Sequence, residues 1–101
     1  MVKVGILARL EAKPDKVAEV RKFLESGLSL ANGEPETIVW FALQIGPTTF
    51  GIFDAFEAES GRKAHLSGPI ARALMDKAKD LLAKPPQLEQ VDVLAAKVPE
   101  K

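Results

Sequence analysis

Residues 36–57 read ETIVWFALQIGPTTFGIFDAFE, two apolar runs joined at Gly46-Pro47. β-branched and aromatic residues fill both runs, which is the composition of β-strands. A two-residue loop that begins with glycine suits a type II′ turn, so we predict a hairpin in which Ile45 faces Thr48. The register of this hairpin fixes which of its side chains share a face.

The predicted register places apolar side chains on both faces of the hairpin. One face carries Val39, Phe41, Leu43, Phe50, Ile52, Asp54 and Phe56, and the other carries Ile38, Trp40, Ala42, Gln44, Gly51, Phe53 and Ala55. An antiparallel sheet that is covered on one side normally alternates apolar and polar residues. Helices can cover only one of these faces, and soluble monomers rarely expose an apolar face of this size. We therefore predict a homodimer that closes sheet against sheet.

The rest of the chain supplies two more strands and three helices. Alternation predicts a first strand at residues 2–12, and helical spacing predicts a first helix at 13–32 with Pro14 at its beginning. After the hairpin strands, 36–45 and 48–57, come a short helix at 59–67, a longer helix at 68–83 and a last strand at 87–98. The order β-α-β-β-α-α-β predicts an α+β, ferredoxin-like split βαβ fold, with helices on one face of a four-stranded antiparallel sheet.

Composition argues against several classes of partner. The chain carries 14 Lys+Arg and 14 Asp+Glu, scattered along its length, so we predict no nucleic-acid partner and no membrane partner. With no cysteine, one histidine and no Gly-rich phosphate loop, the sequence predicts no metal and no cofactor. No run approaches the roughly 18 apolar residues of a membrane helix. We expect a cytoplasmic protein with one domain, residues 1–101.

Four features of the sequence are shared with one known family. They are KPDK at residues 13–16, Glu34-Pro35 ahead of the second strand, IFDAFE and ESGRKAHL within residues 52–66, and the apolar helix after them. In these features the chain resembles the antibiotic biosynthesis monooxygenase (ABM) family of small dimeric α/β-barrel proteins. The resemblance implies a homodimer with a pocket between sheet and helices in each protomer. It also implies either a cofactor-free oxygenase of quinols and polycyclic phenols or a heme-degrading enzyme.

The heme-degrading branch of that family fits these residues badly. Its strand-one asparagine falls on Ala8, the tryptophan of its short helix falls on His65, and its iron-ligating histidine falls on Met75. The AHL at residues 64–66 resembles the quinol-oxygenase branch instead, whose Glu-x-Trp at the end of strand three reads Asp54-Ala55-Phe56 here. The resemblance therefore implies no heme.

His65 and Asp54 are the candidate catalytic residues. His65 is the only histidine, and an ordinary pKa of about 6.5 suits it to take a phenolic proton at neutral pH. Asp54 lies inside a predicted strand and needs a partner there. A bond to His65 would orient the imidazole and raise its pKa. Arg9 on the neighbouring strand, or the helix N-terminus near Ser60, would satisfy Asp54 equally and leave both residues structural.

Trp40, Phe53, Phe56 and Arg9 are the candidate substrate-binding residues. In the predicted register Trp40 lies opposite Phe53 among small residues, so the two rings wall a flat aromatic slot. The alternative is that this cluster belongs to the core or to the dimer interface. Phe56 stands where the resemblance places a tryptophan.

Two functions remain open from the sequence. The first is a cofactor-independent monooxygenase, an oxidoreductase, in which His65 deprotonates a quinol or hydroxylated aromatic molecule and the anion reacts directly with O₂. The second is a non-catalytic dimeric module of the same fold that binds a small ligand or a partner. Oxygen uptake with quinols separates the two.

Overall fold

Four strands and three helices make up the computed structural model, which describes residues 1–99. In chain order they are β1 (Val4–Glu11), α1 (Val17–Asn32), β2 (Thr37–Gln44), β3 (Thr49–Phe56), α2 (Glu59–Leu66), α3 (Pro69–Leu81) and β4 (Gln87–Asp92). This order, β-α-β-β-α-α-β, confirms the predicted fold class. None of the described helices combines the length and apolar character needed to cross a bilayer.

The strands form one antiparallel sheet in the order β2-β3-β1-β4, which is the ferredoxin-like arrangement. Helices α1 and α3 pack on one face of it, and their apolar stripes meet alternate residues of β1 and β3. The core consists of Ala8, Leu10, Ala12, Val20, Leu24, Phe50, Ile52, Leu74, Leu81 and Leu82. The helices therefore cover one face of the sheet, as predicted.

Two predicted boundaries are corrected. Pro14 does not begin α1, because the Lys16 amide bonds to the Lys13 carbonyl at 2.9 Å and closes a turn, in which proline is favoured at the second position. The last strand ends at Asp92, which pairs with Val4 at the beginning of β1. The Val93 amide still donates to the Lys3 carbonyl at 2.8 Å, and residues 94–98 run past the end of the sheet.

The hairpin loop is longer than predicted. The Ile45 amide donates to the Thr49 carbonyl at 2.8 Å, so the loop has three residues, Gly46 to Thr48. No described glycine has a positive φ, which rules out the predicted type II′ turn. The predicted pairing of Ile45 with Thr48 is wrong by one residue.

A one-residue shift of register exchanges the faces of a strand. Trp40 therefore pairs with Asp54, and Phe41 pairs with Phe53. Trp40 lies on the helix-covered face, where a Cβ atom on Gly27 of α1 would come within 3.2 Å of its indole ring. The predicted face assignments of β2 relative to β3 are wrong, and so is the slot between Trp40 and Phe53.

The uncovered side of the sheet, the open sheet face, is apolar along β2 and polar along β4. Across one row of the sheet Phe41, Phe53, Leu7 and Glu89 are successive neighbours. Phe41 is 55% exposed and Leu43 is 40% exposed. Within residues 1–99 nothing covers these two side chains.

Candidate functional site

Asp54 and His65, both buried, and the partly buried Glu34 form a group that is here called the histidine–carboxylate cluster. The imidazole Nε2 lies 2.8 Å from Asp54 Oδ2, and Nδ1 lies 2.7 Å from Glu34 Oε1. His65 is 7% exposed and Asp54 is 1% exposed. Of the partners that the sequence left open for Asp54, the structure selects His65.

Three different elements bring the cluster together. Asp54 lies on β3 and faces the helices, like Phe50 and Ile52 on the same strand. His65 lies in the last turn of α2. Glu34 follows α1 in the connection to β2, and its Oε1 also accepts a hydrogen bond of 2.8 Å from the Thr37 hydroxyl. The cluster therefore exists only when α2 and the α1–β2 connection fold over the sheet.

A buried arginine anchors α2 to the sheet. Arg62 donates through Nη1 to the carbonyls of Gly5 and Val91, both at 3.2 Å, and through Nε to Glu59 at 3.0 Å. The hydrogen bond to Glu59 raises the pKa of the guanidinium, which stays charged. Sequence reasoning missed this residue, although the spacing of Glu59 and Arg62 is that of a helical ion pair. The anchor fixes α2, and with it the position of His65.

The two carboxylates keep His65 protonated. Burial by itself lowers the pKa of the imidazole, but the hydrogen bonds that it donates to Asp54 and Glu34, together with their negative charges, outweigh burial and raise the pKa to about 9. At neutral pH both ring N–H groups therefore donate, one to each carboxylate. No ring nitrogen is left to accept a proton from another molecule.

Each carboxylate of the cluster keeps one buried oxygen without a partner. Asp54 Oδ1 and Glu34 Oε2 accept no hydrogen bond in the structure, and the nearby Trp40 Nε1 donates none. Buried polar atoms nearly always have a protein or water partner. Gly68 leaves room at Glu34, because a Cβ atom there would lie 3.2 Å from Oε2. These atoms are the points at which the cluster can bind a water molecule or a hydroxyl group.

The cluster is not arranged as a metal site. Its two carboxylates contact opposite nitrogens of one ring, so their bonded oxygens do not converge on a common point. Among residues 1–99 no group of three or more His, Cys, Asp or Glu side chains has a geometry that could hold a metal ion.

The remaining sequence candidates are divided between the two faces. The Phe56 ring centroid lies 5.5 Å from that of His65, and Phe56 is fully buried. Arg9 pairs with Gly51 and is exposed on the open sheet face. Phe53 lies on the same face and is partly buried. The proposed partnership of Arg9 with Asp54 is therefore wrong. Asp54 Oδ2 bonds to His65 and its Oδ1 accepts no hydrogen bond, so the N-terminus of α2 near Ser60 does not serve Asp54 either.

A solved structure matches the chain over its whole length. The "NE2512 protein of unknown function" from Nitrosomonas europaea is 54% identical, with 100% of this chain and 98% of that chain covered and a TM-score of 0.97. The chain belongs to the same family as NE2512. No family model and no curated protein matches the sequence.

More distant structures show that the NE2512 family has an ABM-like fold. One is a "putative antibiotic biosynthesis monooxygenase" from Nitrosomonas europaea, 19% identical, with 91% of this chain and 90% of that chain covered and a TM-score of 0.81. Another of the same description, from Caulobacter crescentus CB15, is also 19% identical, with 93% and 92% covered and a TM-score of 0.75. The fold predicted from the resemblance is confirmed.

The interior beside Trp40 is nearly filled in this NE2512-family chain. A cavity of about 20 Å³ remains between the indole ring, Gly27 and Leu30 of α1, Ile52 of β3 and Ile70 of α3. Such a volume holds roughly one water molecule. An aromatic ligand would therefore need movement of side chains to enter between the sheet and the helices.

Alkaline pH is expected to destabilise the fold through His65. Because the folded-state pKa of His65 is raised from 6.5 to about 9, its contribution is complete below pH 6.5 and is lost as the pH rises through 9. At about 1.4 kcal/mol per pH unit, the free energy of unfolding should fall by about 3 kcal/mol across this window. Urea unfolding at a series of pH values measures this change in the free energy of unfolding. His65→Gln should be flat over the same range, and a flat native curve would contradict the assigned charge state.

Proposed function

We propose that this protein is a cofactor-independent monooxygenase that oxygenates a quinol or another hydroxylated aromatic molecule. The observation that carries the proposal is the pair of unpartnered carboxylate oxygens, Asp54 Oδ1 and Glu34 Oε2, on either side of a buried imidazolium. Buried, mutually coupled ionisable groups are costly and cluster at functional sites. The ABM-like fold, shared with proteins named as monooxygenases, supports the same reaction class.

The acceptor of the phenolic proton in this proposal is a carboxylate rather than His65. With both carboxylates ionised and His65 protonated, the cluster carries one net negative charge, so taking up one proton neutralises it. The phenolic O–H bond breaks, the proton goes to Asp54 Oδ1, and the electron pair stays on the substrate oxygen. His65 is then a positioning residue, whose Nε2–H group holds the Asp54 carboxylate in place.

The reaction balances without an external reductant. The quinol itself supplies the two electrons needed, so quinol and O₂ give a hydroxyquinone and water. One oxygen atom enters the ring and the other leaves as water. The contribution of the protein is deprotonation, orientation and exclusion of bulk water from the anion.

Oxygen consumption is expected to depend on Asp54. Loss of a general base typically reduces the rate by 10²–10⁴-fold, so Asp54→Asn should lower oxygen uptake with anthrahydroquinones by at least about 100-fold. Asp76→Asn on the exposed side of α3 removes the same charge outside the cluster and should leave uptake unchanged. An oxygen electrode measures both.

The pH profile identifies the proton acceptor. A carboxylate acceptor gives a rate that does not rise between pH 7 and pH 9. Neutral His65 as acceptor would instead give a rate that rises about tenfold per pH unit until its pKa of about 9. Uptake that is unchanged in Asp54→Asn would remove Asp54 from the mechanism.

The second candidate is a non-catalytic dimeric module that binds a small ligand. It is favoured by the occupation of both His65 nitrogens and by the nearly filled interior beside Trp40. In this case the cluster is a structural polar network. Absence of oxygen uptake across a broad panel of quinols, with retained ligand binding, would select it.

We also propose that two copies pair through their open sheet faces. Phe41, Leu43 and Ile45, at the β2 edge of the sheet, are 55%, 40% and 49% exposed. Contiguous apolar surface of this kind marks an interaction site. A second copy of the same chain fits because a two-fold interface pairs an apolar patch with itself.

A further inference from the structure

A groove runs between α1 and α3 on the side of the helices that faces away from the sheet. It has a volume of about 730 Å³ and is here called the helix groove, defined by Lys13, Lys16, Lys22, Phe23, Lys77 and Leu81. Phe23 and Leu81 supply apolar surface, and the lysines supply its charged rim. It is separate from the histidine–carboxylate cluster, none of whose residues line it.

The rim of the helix groove has an excess of positive charge. Four lysines line it against two carboxylates, Glu19 and Asp80, although the whole chain carries no net charge. Lys16 pairs with Glu19 at 3.3 Å, and Lys13 donates to the Lys79 carbonyl at 2.8 Å. Within residues 1–99, Lys22 and Lys77 form no ion pair.

Phe23 lies between the helix groove and the interior. Its side chain lines the groove and also two interior cavities, of about 20 Å³ beside Trp40 and about 10 Å³ beside Leu10. It is the one residue common to all three among the described linings, and it is only partly buried. A rotation of this ring would therefore join the groove to the space between helices and sheet.

We propose that the helix groove binds an aromatic molecule that carries an anionic group, with Lys22 and Lys77 holding the anion and Phe23 closing the path to the interior. This deepens the proposed function, on which it rests for the aromatic character of the ligand. Charge complementarity selects the anion, because two ammonium groups lie beside apolar surface without a carboxylate partner. The substrate class is accordingly a quinol or hydroxylated aromatic molecule that also carries a carboxylate or sulfonate group.

Titration calorimetry with naphthalene-2-carboxylate and its neutral analogue naphthalene-2-carboxamide tests the proposal. The carboxylate should bind at least about tenfold more tightly, and the preference should shrink with added salt. The double variant Lys22→Gln/Lys77→Gln should abolish the preference for the carboxylate. The matched control Lys63→Gln/Lys79→Gln removes two exposed lysines outside the groove and should keep the preference.

The position of Phe23 is tested separately. Phe23→Leu keeps an apolar side chain but shortens it. The variant should bind both naphthalene compounds about fivefold more tightly or better, because the shorter side chain opens the path from the helix groove to the interior. Amide shifts of Gly27 and Ala73, which line the interior cavity, should move on binding. Equal affinity for acid and amide, absence of binding at millimolar concentration, or equal effects of the two lysine pairs would each overturn the proposal.

Failure of the proposed function is distinguishable from failure of this inference. Selective binding of the carboxylate without any oxygen uptake leaves the groove in place and removes the monooxygenase. If uncharged quinols support oxygen uptake and Lys22→Gln/Lys77→Gln does not change the rate, the monooxygenase stays and the groove proposal is removed.

Discussion

Asp54→Ala is expected to lower the free energy of unfolding by about 3–5 kcal/mol at pH 7, because it leaves a buried imidazolium with one of its two partners missing. Asp54 is 1% exposed, and a neutral water molecule in the space left by its side chain would not replace the negative charge of the lost carboxylate. The pKa of His65 should fall from about 9 towards its ordinary value in the same variant. Urea unfolding gives the first quantity, and NMR titration of the single imidazole gives the second.

Two further variants make this result interpretable. Asp54→Asn preserves the shape of the side chain and removes its charge, so it supplies the titration even where the alanine variant does not fold. Asp76→Ala on exposed α3 should change stability by no more than about 0.5 kcal/mol. A native His65 pKa near 6.5, unaffected by Asp54→Asn, would mean that the two side chains do not pair in solution.

Phe41→Glu is expected to convert the proposed dimer to monomers, with a dissociation constant raised by at least about 1,000-fold. A two-fold interface contains the substitution twice, and each copy would bury a carboxylate without a partner. Phe41 is 55% exposed within one protomer and packs only on the open sheet face, so the fold itself should tolerate the change. Sedimentation velocity or light scattering measures the association.

The matched control is Met75→Glu. Met75 is 59% exposed on α3, outside the open sheet face, and its replacement should leave the association unchanged. A native chain that sediments as a monomer at micromolar concentration would refute the dimer, and so would a Phe41→Glu variant that remains dimeric.

The hairpin illustrates how far the sequence leads and where it stops. The β-branched and aromatic residues of two runs separated by Gly46-Pro47 predicted the existence of β2 and β3, because composition is a local property. The register was missed because two-residue and three-residue loops are both common between such strands and differ by a single residue. That residue exchanged the faces of β2 and placed Trp40, rather than Phe41, against the helices.

The candidate site was predicted only in part, because single residues can be noticed in the sequence but contacts between distant residues cannot. Asp54 attracted notice as a charge in an apolar strand, and His65 as the only histidine, and the structure joins them at 2.8 Å. Glu34 was missed as a partner because it lies 31 residues from His65 in a connection without periodicity. The only signal for Glu34 was that Glu34-Pro35 is one of the features shared with the family. The resemblance assigns Glu34 no contact.

The bond between Glu34 and His65 has a consequence for how the molecule opens. β2 is an edge strand and is held in the sheet by β3 alone, so its first residues would ordinarily exchange their amide hydrogens early. Glu34 lies three residues before the first residue of this strand, accepts a hydrogen bond from the Thr37 hydroxyl, and is itself held by His65 of α2. We therefore expect the start of β2 and the end of α2 to unfold together, so that hydrogen exchange at the edge of the sheet reports on the protonation of a histidine in a helix.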